Sequence, residues 1–213
     1  MPSTASKPAR FARQKPVMPM VLTERDLDIV ETVWRYRCID ARDIASLAGG
    51  SPAVVNRRLR LLFDNGYLDR PIVQVQWQQQ RNNPPLVYLL ARSGAKLLED
   101  YGRAANLPVD WTAKNHSLKP GSILHMNAIA GTMTAFERLG KARFIREETI
   151  RARGGKSLPL YWQVELAQGR EWKEVRLAPD HVFGLANERG RVVFGVGVVP
   201  LRWTVCGSER LDQ

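Results

Sequence analysis

The chain has 213 residues, 32 of them lysine or arginine against 21 aspartates and glutamates, and a formal net charge of +11. With 44% hydrophobic residues it can build a core, so it reads as a folded protein and not a tail. The charge favours a polyanionic partner, nucleic acid first, and no apolar run reaches the roughly 18 residues that a spanning helix needs, which excludes a membrane span.

The two cysteines, Cys38 and Cys206, are too few and too unpatterned for a disulfide framework or a zinc site, which points to a reducing compartment. Lys7, Arg10, Arg13 and Lys15 precede no apolar h-region, so no export signal is expected and the cytoplasm is the default location. Residues 1–20 hold prolines at 2, 8, 16 and 19 and no acid, and predict a disordered basic arm able to add phosphate contacts.

Thr23-Glu24-Arg25-Asp26 resembles a capping box, and Leu27, Val30 and Trp34 follow at helical spacing, which predicts a first helix ending near Tyr36. Asp40 can cap a short second helix that buries Ile44 and Leu47 and stops at Gly49-Gly50. Ser51-Pro52 then supplies an N-cap and a first-turn proline for a third helix, whose inward stripe is Val55, Leu59, Leu62 and Phe63 and whose end is Asn65-Gly66. Three helices with a tight turn before the last predict a helix-turn-helix.

Ile72 to Trp77 and Leu86 to Leu90, separated by a polar stretch and Pro84-Pro85, predict a β-hairpin, the wing. A further helix runs from Ser93-Gly94-Ala95 through Leu97, Leu98 and Tyr101, and Pro108, Trp111 and Lys119-Pro120-Gly121 mark an irregular linker. Beyond it a helix capped by Ser122 carries Leu124, Ala128, Met133, Phe136 and Leu139. Strands are expected over 143–151, 158–166, 173–177, 181–185 and 191–199. The predicted class is α+β: a basic arm at 1–20, a winged helix-turn-helix domain at 21–105, a linker at 106–121, and at 122–213 a smaller α/β domain of one helix and a mostly antiparallel or mixed sheet.

The third helix carries the sharpest functional signal. Once its apolar stripe faces inward, Ala53, Asn56, Arg57, Arg60 and Asp64 fall on the outward surface. Arginine can make paired bonds to guanine and asparagine to adenine in the major groove, which makes Asn56, Arg57 and Arg60 candidate base readers. Arg58, on the flank, is suited to a phosphate, and Arg81 with Asn82 and Asn83 at the wing tip to the neighbouring backbone or minor groove. A merely solvated helix face would carry the same arginines. Position favours docking, because these follow a Gly-Gly-Ser-Pro turn whereas helix one carries Glu24, Asp26, Asp28 and Glu31.

Leu22-Thr23-Glu24-Arg25-Asp26, the reading helix from Val54 to Leu62, Asn65-Gly66-Tyr67-Leu68, and the run from Val87 to Gly94 occur in an order that resembles the replication-relaxation family of bacterial and plasmid proteins. Leu124-His125-Met126-Asn127 and Pro179-Asp180-His181-Val182-Phe183 are similar to later blocks of that family, so the resemblance covers most of the chain. It implies a winged-helix DNA-binding half and a role in replication, transfer or regulation of a plasmid or integrative element.

The second domain's pattern can also describe a degenerate restriction-endonuclease-like fold, with Asp180 at a metal ion. The resemblance would then place an acidic Glu-x-Asp on the following strand, but this chain has Phe194-Gly195-Val196-Gly197-Val198 there, and a single aspartate cannot hold a catalytic divalent ion. This departure, with the unusual tail 199–213, argues against a nuclease and for a degenerate domain or an altered C-terminus.

His116, His125 and His181 have no metal-ligand spacing, and no catalytic triad or phosphate-binding glycine loop occurs, so neither metal, cofactor nor small-molecule ligand is expected. Trp162, Trp172 and Trp203 are expected in a core or an interface. The leading expectation is a sequence-specific regulator that binds double-stranded DNA, acting as a homodimer through the second domain. The alternatives are a metal-dependent nuclease or relaxation accessory, and a protein-interaction module.

Overall fold

Helix starts in this chain are written into single side chains, and the computed structural model shows how each is used. It describes residues 10–15, 20–74, 84–103, 115, 117–138, 143–145, 162–168, 171–177, 181–186, 191–198 and 202–210. Two units, Met1–Thr134 and Ala135–Gln213, make up an α+β chain.

In the first unit, α1 spans Glu24–Tyr36. Asp26, in its first turn, reaches back to accept from the Thr23 N–H at 2.7 Å and the Thr23 hydroxyl at 2.6 Å, which satisfies an otherwise open helix end. Leu27, Val30, Val33 and Trp34 point inward. The helix α2, Ala41–Ala48, starts where the Asp40 carboxylate accepts from the N–H groups of Arg42 and Asp43. Gly49 and Gly50 turn the chain at φ 68° and 80°, where a side chain would be strained. Helix α3, Pro52–Asp64, follows directly, with proline in its first turn. Its buried stripe is Val55, Leu59, Leu62 and Phe63, each worth about 1.5 to 3 kcal/mol on full burial.

A three-stranded antiparallel sheet, in the order β1-β3-β2, closes this core. Strand β1 is Cys38–Asp40, β2 is Leu68–Asp69 and β3 is Val87–Leu90. Ile39 pairs with Tyr88, and Leu68 with Leu90. The expected hairpin is therefore corrected in its first arm: Ile72–Gln74 is a 3-10 turn, and β3 takes its partners from elsewhere. The physical reason lies in Gln74. Its buried amide bonds both the N–H and the carbonyl of Val87, at 2.8 and 3.0 Å, and so stands in for a strand partner where β2 has already ended. Residues 75–83, which include Val75, Gln76 and Trp77, lie outside the described residues.

Helix α4, Arg92–Asp100, lies so close to the preceding turn that a Cβ on Gly94 would sit 2.2 Å from the Tyr67 carbonyl. Helix α5, Pro120–Arg138, buries Ile123, Ala130 and Met133. Ile123 packs with Cys38, Val87 and Leu89, and Ala130 joins the main cluster. The helix expected to open the second domain thus shares the core of the first unit as far as Thr134. Of the expected linker, 106–114 and 116 lie outside the described residues.

Among the described residues, the second unit holds two antiparallel sheets. One has the order β4-β7-β8-β9, formed by Arg143–Ile145, His181–Ala186, Arg191–Val198 and Arg202–Arg210. The other is the pair β5, Trp162–Gln168, and β6, Glu171–Leu177. Strand β9 falls in the stretch expected to be a tail. Val193 pairs with Ser208 and Phe194 with Cys206, which leaves Gly207 as the extra residue of a bulge. The Phe136 and Phe183 rings meet at 4.8 Å in this unit.

Candidate nucleic-acid interface

The outward surface of α3 divides into two halves. In the amino-terminal half, Pro52, Ala53, Val54, Asn56 and Arg57 are all exposed, and none is acidic. Ala53 stands one turn before Asn56 and Arg57, so the three share a face. Arg57 has no ion pair or hydrogen bond among the described residues. Val54, 46% exposed, adds an apolar contact beside them.

The arginines of the next two turns are differently employed. Arg58 donates from Nε to Asp26 Oδ1 at 2.7 Å, from Nη2 to Asp26 Oδ2, and from Nη2 to the Val21 carbonyl at 3.1 Å. Asp26 is fully buried, so this pair ties α3 to the start of α1. Burial alone would raise the Asp26 pKa, but the bonds from Arg58 and Thr23 outweigh it and hold the carboxyl below its ordinary range. Arg58, expected on a phosphate, clamps α3 to the start of α1 in this structure.

Arg60 is also engaged. Its Nε donates to Asp64 at 2.7 Å, its Nη2 donates to the Ala12 carbonyl at 3.1 Å, and its guanidinium lies 5.6 Å from the centre of the Phe63 ring. It does not stand free beside Asn56 and Arg57.

Arg13 and Arg70 also lie over Phe63, at 5.3 and 4.3 Å. This aromatic face with its three cations holds the described part of the arm, 10–15, against α3 and β2. Arg13 pairs with Asp69 and donates to the Leu68 carbonyl, and the Gln14 N–H donates to Asp64 at 2.9 Å. The described part of the expected phosphate-seeking arm, 10–15, is anchored over these residues, because its Arg10 and Ala12 carbonyls accept from Arg70 and Arg60.

The acids of α1, Glu24, Asp28 and Glu31, all gather on Arg103, with Asp28 at 2.6 Å and Glu31 at 3.2 Å. Of the other expected contacts, Arg81, Asn82 and Asn83 lie outside the described residues, as does Asp180 of the nuclease alternative. No group of three histidine, cysteine or acidic side chains that could hold a metal occurs among the described residues. No helix among them is long and apolar enough to cross a membrane.

No protein-family model, curated protein or solved structure matches this chain. Its chemistry therefore rests on its own geometry. An asparagine and an arginine on one exposed turn, with two small apolar side chains beside them, can bond adenine and guanine edges and touch a thymine methyl. Val54 escaped sequence reasoning because valine in a helix ordinarily counts towards the buried stripe. Its place outside the 55, 59, 62, 63 spacing was the available signal.

Proposed function

We propose that the first unit is a double-stranded DNA-binding domain of the winged helix-turn-helix kind, in which the amino-terminal half of α3 enters the major groove. The observation that carries this reading is the exposed, acid-free face of Ala53, Val54, Asn56 and Arg57 directly after the tight turn at Gly49-Gly50-Ser51. Helices that follow such a turn contact base edges with their first residues. The net charge of +11 supplies the sequence-independent attraction.

In this reading Asn56 and Arg57 read bases, with Val54 and Ala53 against thymine methyls, while Arg58 and Arg60 brace the helix from within. The protein is then a sequence-specific regulator of transcription, replication or transfer, in keeping with the resemblance to replication-relaxation proteins. Support comes from the α+β architecture, the placement of α3 and the charge.

The test is fluorescence anisotropy of labelled duplexes over a range of salt concentrations. The reading expects retention of random duplex with a log-log salt slope of several units, about 0.9 for each phosphate neutralised. Arg57→Ala should keep the fold and weaken binding to the preferred sequence by about tenfold more than to random duplex. Absence of binding at low salt, or equal losses on both duplexes, contradicts it.

A further inference from the structure

A cleft of about 570 Å³ opens between α2, the start of α3 and the approach to β3. That volume lies in the range of small-molecule sites. Its described lining includes Arg10, Arg42 and Arg70, together with Asn56 and Tyr88, and contains no carboxylate.

Arg70 is the part that calls for a ligand. The residue is 8% exposed, and its Nη1 donates to the Arg10 carbonyl at 2.7 Å and its Nη2 to the Tyr88 hydroxyl at 2.9 Å. Its Nε is buried with no hydrogen-bond partner among the described residues. Asp64, on the neighbouring helix, is already bonded by Arg60 and by the Gln14 N–H. A buried guanidinium with no carboxylate bonded to it leaves a positive charge uncompensated, which an anion in the adjoining cleft would offset. Tyr88 accepts from Arg70 and so keeps its own proton to donate.

Two further donors border the same cleft. Arg42 is exposed, and its guanidinium lies 3.7 Å from Asp40, whose carboxylate is already bonded by the N–H groups of α2. Pro52 and Asn56 bring the amino end of the thirteen-residue α3 to the wall, and the Ser51 side chain does not cap it. Open N–H groups at the positive end of a helix favour an anion.

We propose that this cleft is a phosphoryl-binding site, with Arg42, Arg70 and the amino end of α3 as its donors. Donors on three separate elements suit the several oxygens of a phosphoryl group better than the two coplanar oxygens of a carboxylate. The phosphoryl group can come from the backbone of a duplex seated on α3 or from a free organophosphate. Asn56 lines the cleft and also lies on the proposed reading face, so occupancy bears on that face in either case. The site itself does not depend on duplex binding.

The test is calorimetric titration of the full chain with inorganic phosphate at fixed ionic strength, with chloride as the control. Saturable binding is expected, weakened roughly fivefold or more by Arg42→Ala and unchanged by Arg92→Ala, an exposed cation outside the cleft lining. Circular dichroism checks that Arg42→Ala is folded, and Arg70→Lys, which keeps the charge but loses the fork, should weaken binding as well. Loss of the phosphate signal on saturation with duplex identifies the backbone as the source, and phosphate binding alongside duplex identifies a free ligand. Absence of saturable binding, or a response that Arg42→Ala leaves unchanged or Arg92→Ala weakens equally, overturns the site. A chain that binds phosphate but not duplex would sink the duplex reading alone.

Discussion

Replacing Arg58 with alanine distinguishes a brace from a phosphate contact. The substitution removes both guanidinium bonds to Asp26, a side chain with no exposed surface, and leaves it only the Thr23 N–H and hydroxyl. Removing one partner of a buried pair costs about 3 to 5 kcal/mol. Because Arg58 is 22% exposed and Thr23 stays in place, the loss should fall at or just below the bottom of that range, about 2 to 3 kcal/mol. Against a domain stability of about 5 to 15 kcal/mol that is a large fraction, readable as a shift in the urea midpoint.

The loss should also depend on pH. The folded-state pKa of Asp26 is depressed, so its contribution is present above the unfolded value of about 3.9 and lost as pH falls through the folded one. The stability gap between wild type and Arg58→Ala is therefore full at neutral pH and closes in acid. Duplex binding by the folded variant should keep its salt slope. A stability loss under about 0.5 kcal/mol, with a slope reduced by about 0.9, would make Arg58 a phosphate ligand and refute the brace.

Arg60→Ala should cost about 1 kcal/mol, from an i,i+4 pair and a ring contact, and leave base preference intact; an altered preferred sequence contradicts this. Gly94→Ala places a methyl 2.2 Å from the Tyr67 carbonyl and 2.8 Å from Leu90 Cδ1, and should lower stability by about 3 kcal/mol or more in urea unfolding. Gly121→Ala, whose Cβ meets nothing, is the matched control, and equal stability of the two variants removes the close approach. Burial pushes the Cys38 thiol up to about 12, so at pH 8 it should resist alkylation in the folded chain and react only in denaturant, as read by peptide mass spectrometry. Prompt labelling without denaturant would show that the thiol is accessible.

The helices of the first unit were legible because their signals are local. Thr23, Asp40 and Ser51-Pro52 each stand at the start of the helix they were expected to open, and Val55, Leu59, Leu62 and Phe63 are buried as their spacing implies. The sheet was less so. Strand β1 has three residues, β2 has two, and both pair with a β3 that lies far along the chain, so no period could reveal them. Ile72 to Trp77 mimicked a strand by alternation, but its described first residues form the turn that brings Gln74 to Val87.

The candidate interface was half legible for the same reason. Helical periodicity correctly put Asn56 and Arg57 outside, yet it follows the Cα path and not the reach of a long side chain. Arg58 finds Asp26 from 32 residues away and Arg60 finds the Ala12 carbonyl from 48, partners that no window around α3 contains. Arg70 follows a two-residue strand, outside any periodic segment, and gave no sign of the cleft it lines.

The most direct measurement is selection of bound sequences from a random duplex pool, run in parallel with the full chain and with Arg57→Ala. The full chain should enrich one motif, and the variant should lose preference at one or two adjacent base pairs while keeping the rest. An unenriched pool, or the same motif from both proteins, would contradict base reading by α3.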